Sequence, residues 1–171
     1  MWLQGMNWPF CPHSQVVEMA IHQQVQGSGE SLVDVVIHPQ PFNPWSALED
    51  WMPEAAANAV FLGRVRPEDQ RGDALDALEL VHYPGMCEQR IRDDAERLRQ
   101  LHGADRVLVL HRVGKLPPGE PIVLVAVTAD RRGAAQRCCA AVLEALKHDA
   151  PFWKREWRGG QGTWLEANTP L

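Results

Sequence analysis

Lys147 and Lys154 are the residues of this chain best placed to do chemistry. They stand in the run Leu146-Lys147-His148-Asp149-Ala150-Pro151-Phe152-Trp153-Lys154-Arg155-Glu156-Trp157. Proline has no N–H and disfavours helical geometry at the residue before it. The spacing therefore predicts Lys147 on the last turn of a helix and Lys154 on the extended segment beyond. Two amines from two elements make a pocket for an anionic reactant, and Phe152, Trp153 and Trp157 are at hand to keep water out of it. A surface reading competes, because the helix dipole alone favours a lysine near a C-terminus by about 0.3–1 kcal/mol.

Three other basic segments can join the lysines. Arg64 and Arg66 close a predicted strand, and alternation puts both on one face. Arg131 and Arg132 stand between a predicted strand and the start of the last long helix, where backbone N–H groups favour anions. His111-Arg112 follows another predicted strand. Residues 131–158 hold seven bases (Arg131, Arg132, Arg137, Lys147, Lys154, Arg155, Arg158) against three acids (Glu144, Asp149, Glu156). The whole chain carries a net charge of −5, and the first 63 residues have six acids and no lysine or arginine. A local positive patch on an acidic protein suits a small anionic ligand or an acidic partner, not general nucleic-acid binding.

The elements that must position these groups follow from pattern. Leu32 to Ile37 is a β-branched run ended by Pro39 and Pro41, hence a strand. Asn43-Pro44 reads as an N-cap with proline at the first helical position, starting a short helix to about Met52. Ala59 to Leu62 reads as a buried strand and residues 67–73 as a mobile polar loop. Leu78 to Tyr83 is a strand that runs into the turn Pro84-Gly85. Cys87, Ile91, Ala95, Leu98 and Leu101 form the stripe of an amphipathic helix stopped by Gly103. The runs 107–110 and 122–127 are continuous apolar strands, as expected of central strands covered on both faces. Ala135, Cys139, Val142 and Leu146 stripe a second long helix, with Lys147 off the stripe. A C-terminal strand pair, 152–158 and 163–167, flanks Gly159-Gly160-Gln161-Gly162. The order β-α-β-β-α-β-β-α-β-β predicts an α+β sandwich of mostly antiparallel sheet with packed helices.

At 171 residues the chain suits one domain, and 45% hydrophobic residues fits a globular protein. Residues 1–30 read as a flexible extension, with Met19 an alternative start, and residues 31–171 as the folded domain. No apolar run approaches the roughly 20 residues that span a membrane, and no basic stretch precedes an apolar one as in a secretory signal. The expected setting is the cytoplasm. Cys11, Cys87, Cys138 and Cys139 lack metal-ligand spacing and read as residues of a reduced protein. No cofactor is expected, no metal site is visible, and His82 and His111 read as structural histidines.

The chain resembles the catalytic large subunit of molybdopterin synthase. The resemblance is carried by Phe61-Leu62-Gly63-Arg64-Val65-Arg66, Leu80-Val81-His82-Tyr83-Pro84-Gly85-Met86, His111-Arg112-Val113-Gly114-Lys115-Leu116 with Pro118-Gly119-Glu120, and Val125-Ala126-Val127-Thr128. It continues through Leu146-Lys147 and Ala150-Pro151-Phe152-Trp153-Lys154-Arg155-Glu156, in order and spacing from about residue 32 to about 168. It implies an α/β hammerhead fold with a small β subdomain. It implies a homodimer within a heterotetramer, each end binding a small ubiquitin-like sulfur-carrier subunit with a C-terminal Gly-Gly thiocarboxylate. The implied reaction converts cyclic pyranopterin monophosphate to molybdopterin, a step of molybdenum cofactor biosynthesis.

The resemblance carries pocket roles to Arg64, Val65, Arg66, Arg132, Lys147, Lys154, Arg155 and Glu156. Lys147 is expected at the reacting end, with Lys154 also catalytic, and Lys154 and Arg155 on the pterin and its phosphate. Arg131 departs from the family, which commonly has histidine there; a guanidinium binds anions but does not exchange protons near neutrality. Val81 stands where a glutamate is common, and residues 1–30 have no family counterpart. The alternative reading is a non-catalytic module that binds a ubiquitin-like protein or a phosphorylated metabolite.

Overall fold

A computed structural model describes residues 31–52, 54–69 and 71–165. The expectations for residues 1–30, Cys11 among them, and for the end of the last strand at 166–167 lie outside the described residues. The described residues form eight strands and three helices in the order β1 (Val33–His38), α1 (Pro44–Trp51), β2 (Ala57–Arg64), β3 (Ala77–Val81), α2 (Met86–His102), β4 (Arg106–Arg112), β5 (Gly114–Leu116), β6 (Pro121–Ala129), α3 (Arg132–His148), β7 (Trp153–Arg158) and β8 (Gln161–Trp164). The sequence order holds, with one short strand, β5, added after β4.

The first sheet has the order β1-β4-β6-β2. Only the β1–β4 pair is parallel; β2–β6 and β4–β6 are antiparallel. The apolar runs of β4 and β6 are central because both faces are covered. Val107 and Val109 of β4, with Val125 and Val127 of β6, pack under α2 and α3. Leu108 and Leu110, with Leu124 and Ala126, pack on the other face against Phe42, Leu48 and Trp51 of the α1 region. Alternation thus feeds two cores from one strand. Trp51 is 1% exposed, and its ring N–H donates to the Asp34 carboxylate at 3.0 Å.

One expectation fails here. β2 is an edge strand, not a buried one, and leaves Val60 and Phe61 about two-fifths exposed. Sequence alone cannot tell a central apolar strand from an edge one, because position in the sheet is set by partners far along the chain.

The helices end where their residues dictate. The Asn43 side chain accepts from the backbone N–H of Trp45, and Pro44 opens α1. Gly103 closes α2 with φ 64°, a left-handed conformation that costs glycine little. α3 stops at His148, three residues before Pro151. Cys87, Cys138 and Cys139 are buried under the sheet, and burial pushes each thiol up to about 11. They are small core residues, inert at neutral pH.

The second sheet, β5-β3-β7-β8, is wholly antiparallel. Its inner face joins Leu80 and Leu116 to Val65 and Val113 in a third core.

Candidate active site

β7 leaves Pro151 in extended geometry, so its side chains alternate between two faces. Lys154, Glu156 and Arg158 face inward onto an open cleft of about 910 Å³. The cleft lies between this sheet, the last turn of α3 and the edge strand β2. α3 contributes Glu144, Leu146 and Lys147; β2 and the residues after it contribute Phe61, Arg64, Val65 and Arg66. The helix end and the strand beyond the proline therefore deliver both lysines to one cavity, as the spacing predicts.

The two arginines reach the same cleft with Val65 buried between them, as alternation predicts, just past an irregularity at the end of β2. The β2–β6 register shifts between Gly63 and Arg64. Val65 is buried, while Arg64 and Arg66 stay exposed on the cleft side. Backbone bonds between Val65 and the turn 119–120 hold the segment, at 2.9 Å to Glu120 O and 2.8 Å from Gly119 N. Arg64 Nη1 donates to Gly119 O at 2.9 Å.

Electrostatics single out Lys154. Burial and then the nearby charge of Lys147 hold its amine below the ordinary lysine range. Two ammonium groups sharing a partly dry site repel, so one gives up its proton more readily. That is the condition a proton-transferring lysine needs. His111 also lines the cleft and is 7% exposed. Burial lowers its pKa to about 4. The ring stacks on Phe152 with centroids 4.2 Å apart.

Several expected site residues lie elsewhere. Arg155 points to the outer face, where its guanidinium donates to Glu79 and lies over the Trp157 and Trp164 rings. Strand alternation puts it opposite its neighbours Lys154 and Glu156. Trp157 shares that outer face, and Trp153 is exposed against Tyr83. Of the three aromatics expected to wall the pocket, Phe152 alone comes near it, through His111. Arg131 and Arg132 are exposed at the start of α3 and do not line the cleft of their own chain; Arg131 pairs with Asp130 at 3.5 Å. A 17-residue helix is ~25 Å long, so its two ends cannot serve one cavity.

Other residues of the cleft were not anticipated. Arg158 bridges Asp69 at 2.5 Å and Glu156 at 2.6 Å. It lies two residues beyond Glu156, so period-two counting along β7 would have found it. Asp69 lies in the loop 67–73. Its carboxylate accepts the backbone N–H groups of Arg71 and Asp73 and an N–H from Arg158 of β7. Among the described residues no group of three or more His, Cys, Asp or Glu is arranged to hold a metal ion.

A family model described as MoaE protein matches residues 37–149. The chain belongs to the MoaE family. The molybdopterin synthase catalytic subunit of Escherichia coli strain K12 is 40% identical over 138 residues, which cover 78% of this chain and 89% of that protein. The protein of the same description from Ralstonia nicotianae is 39% identical over 122 residues, covering 71% and 69%. Among solved structures, the molybdopterin cofactor biosynthesis protein E of Burkholderia multivorans superposes with a TM-score of 0.66 at 37% identity, covering 81% of this chain and 91% of that one. Molybdopterin synthase from Staphylococcus aureus gives 0.68 at 27% identity, covering 80% and 98%. The MoaE fold of these structures is the mixed α+β arrangement described above.

Proposed function

We propose that this chain is the catalytic subunit of a molybdopterin synthase. It takes sulfur from the C-terminal thiocarboxylate of a small ubiquitin-like carrier and adds it to cyclic pyranopterin monophosphate. One observation carries the mechanism: Lys147 and Lys154 reach one cleft from opposite sides of Pro151, beside Arg64 and Arg66. The phosphate and the thiocarboxylate are both anions and need positive charge where water is scarce. The arginines suit planar anion binding. Lys147 is assigned to the carrier's reacting end, where it holds the thiocarboxylate and stabilises developing charge. Lys154, with its lowered pKa, is assigned to the pterin side as the group that moves a proton. Sulfur comes from the carrier, so none of the buried thiols is used.

The inward face of β7 supplies Lys154, Glu156 and Arg158, so we take Arg155 out of the substrate site and leave Glu156 in it. Any substrate contact of Arg131 and Arg132 is assigned to the cleft of a second copy of the chain, in the homodimer that this reading implies. Residues 31–171 form the synthase domain, with residues 1–30 an extension, and the setting is the cytoplasm. The test is single-turnover conversion of the cyclic pyranopterin by this chain with thiocarboxylated carrier. Formation of the dithiolene product supports the reading. Carrier binding without conversion would favour the non-catalytic module instead.

A further inference from the structure

His111 read as a structural histidine in the sequence, yet it opens onto the cleft. Its Nδ1 lies 2.8 Å from the carbonyl oxygen of Arg112. A carbonyl can only accept, so Nδ1 carries the proton. The lone pair is then on Nε2. The stack on Phe152, at 16° between ring planes, fixes the ring's plane. Phe152 stands two residues before Lys154 on the same extended segment, so the element that clamps the ring also carries the lysine. The positive charge of Lys154 is felt at His111, which places the two groups near one another in the shared cavity.

We propose that His111 is a positioning residue for Lys154. Its Nε2, left as an acceptor by a fixed tautomer, receives an N–H from the Lys154 side chain and aims the amine at the substrate. This rests on the sulfurtransferase reading, in which Lys154 works on the pterin.

The chemistry explains why an imidazole suits the place. A lysine side chain has N–H groups to donate whether it is an ammonium or an amine. A carboxylate in the same position would hold the amine, but its charge would raise the lysine's pKa. A neutral imidazole holds it with a much smaller upward effect, because it accepts a hydrogen bond but brings no charge. The ring stays neutral because burial opposes its protonation, as do the charge of Lys154 and the nearby His82 and His38. Lys147 acts on Lys154 from the α3 side.

Two variants separate positioning from packing. His111→Phe keeps an aromatic ring on Phe152 and removes the acceptor. His111→Gln keeps a neutral acceptor. Two quantities are read: single-turnover rate, and the pH midpoint for acylation of Lys154 followed by mass spectrometry. The expected result for His111→Phe is a rate loss on the order of 10- to 100-fold, as for a misaimed group. Its Lys154 midpoint should also fall, because an ammonium loses an acceptor. His111→Gln should recover both in large part. A rate within about twofold of wild type together with an unshifted Lys154 midpoint in His111→Phe, or equal losses in the two variants, would overturn the proposal. So would nitrogen NMR of the wild-type protein that finds the proton on Nε2, a measurement that needs no variant to fold. The labelling midpoint is independent of turnover. A wild-type chain that fails to convert substrate sinks the sulfurtransferase reading, while the midpoint still judges the link between His111 and Lys154.

Discussion

Arg155 donates from Nε and Nη2 to a single carboxylate oxygen of Glu79, at 2.8 and 2.6 Å, on the face of the second sheet turned away from the cleft. The same oxygen accepts the ring N–H of Trp157 at 2.7 Å. Glu79 pairs in register with Arg155 on one side and Lys115 on the other, and Arg155 with Trp164. Lys115 Nζ lies 3.6 Å from the Trp157 ring centroid. These contacts tie all four strands together from the outside. Burial alone would raise the Glu79 pKa, but the bonds from Trp157 and Arg155 outweigh it and hold the carboxyl below its ordinary range.

Arg155→Ala should therefore act on stability and not on catalysis. Losing a charge-assisted, partly buried pair costs on the order of 1–2 kcal/mol. The check is a thermal melt beside a steady-state assay. The melting temperature should drop while KM for the pterin stays within about twofold. A large rise in KM at an unchanged melting temperature would return Arg155 to the substrate site.

Lys147→Ala should abolish sulfur transfer and leave the fold and carrier binding intact. The residue lies off the apolar stripe of α3, so its removal opens no core cavity. A group that acts mainly in the transition state lowers turnover more than ground-state binding. Single-turnover conversion at the wild-type rate would refute the assignment.

Stability should fall as pH drops from about 6.5 toward about 4. The folded-state pKa of His111 lies at about 4 against an ordinary 6.5, so in that window the unfolded chain binds the extra proton. Stability then rises with pH and is lost on acidification. His38, held at about 4 by burial and by the charge of Arg112, acts in the same direction. The carboxyl of Glu96, lowered to about 2 mainly by its bond from Arg99, stabilises above its ordinary 4.5 and is lost only below it. For His111 the loss between pH 7 and pH 5 should be roughly 1–2 kcal/mol. Denaturant midpoints at the two pH values measure it, and His111→Phe should flatten the slope.

Arg132→Ala and Lys147→Ala should complement one another. The two residues stand at opposite ends of α3, so a site that uses both needs two copies of the chain. Each variant alone should be inactive. Mixing them through a cycle of unfolding and refolding should restore part of the activity, because some heterodimers carry one intact site. No recovery on mixing, with Arg132→Ala active alone, would place Arg132 outside the site.

The sequence by itself determined the element order, the stops at Gly103 and Pro151, and the delivery of Lys147 and Lys154 from two elements. These are local matters: a missing N–H, an unstrained left-handed glycine, a 3.6-residue stripe. It also carried the family resemblance, because the motifs Phe61 to Arg66 and Phe152 to Glu156 are contiguous. Tertiary structure decided the rest. It made β2 an edge and β4 and β6 central, because sheet position depends on which distant strands pair. It turned Arg155 outward and Arg158 inward, since the pleat sets alternation but only packing says which face meets the cleft. It moved Arg131 and Arg132 away from the lysines by the length of a rigid helix. It also made His111 a member of the cleft, because the ring's tautomer and burial are fixed by Arg112 O and Phe152, contacts that no spacing rule encodes.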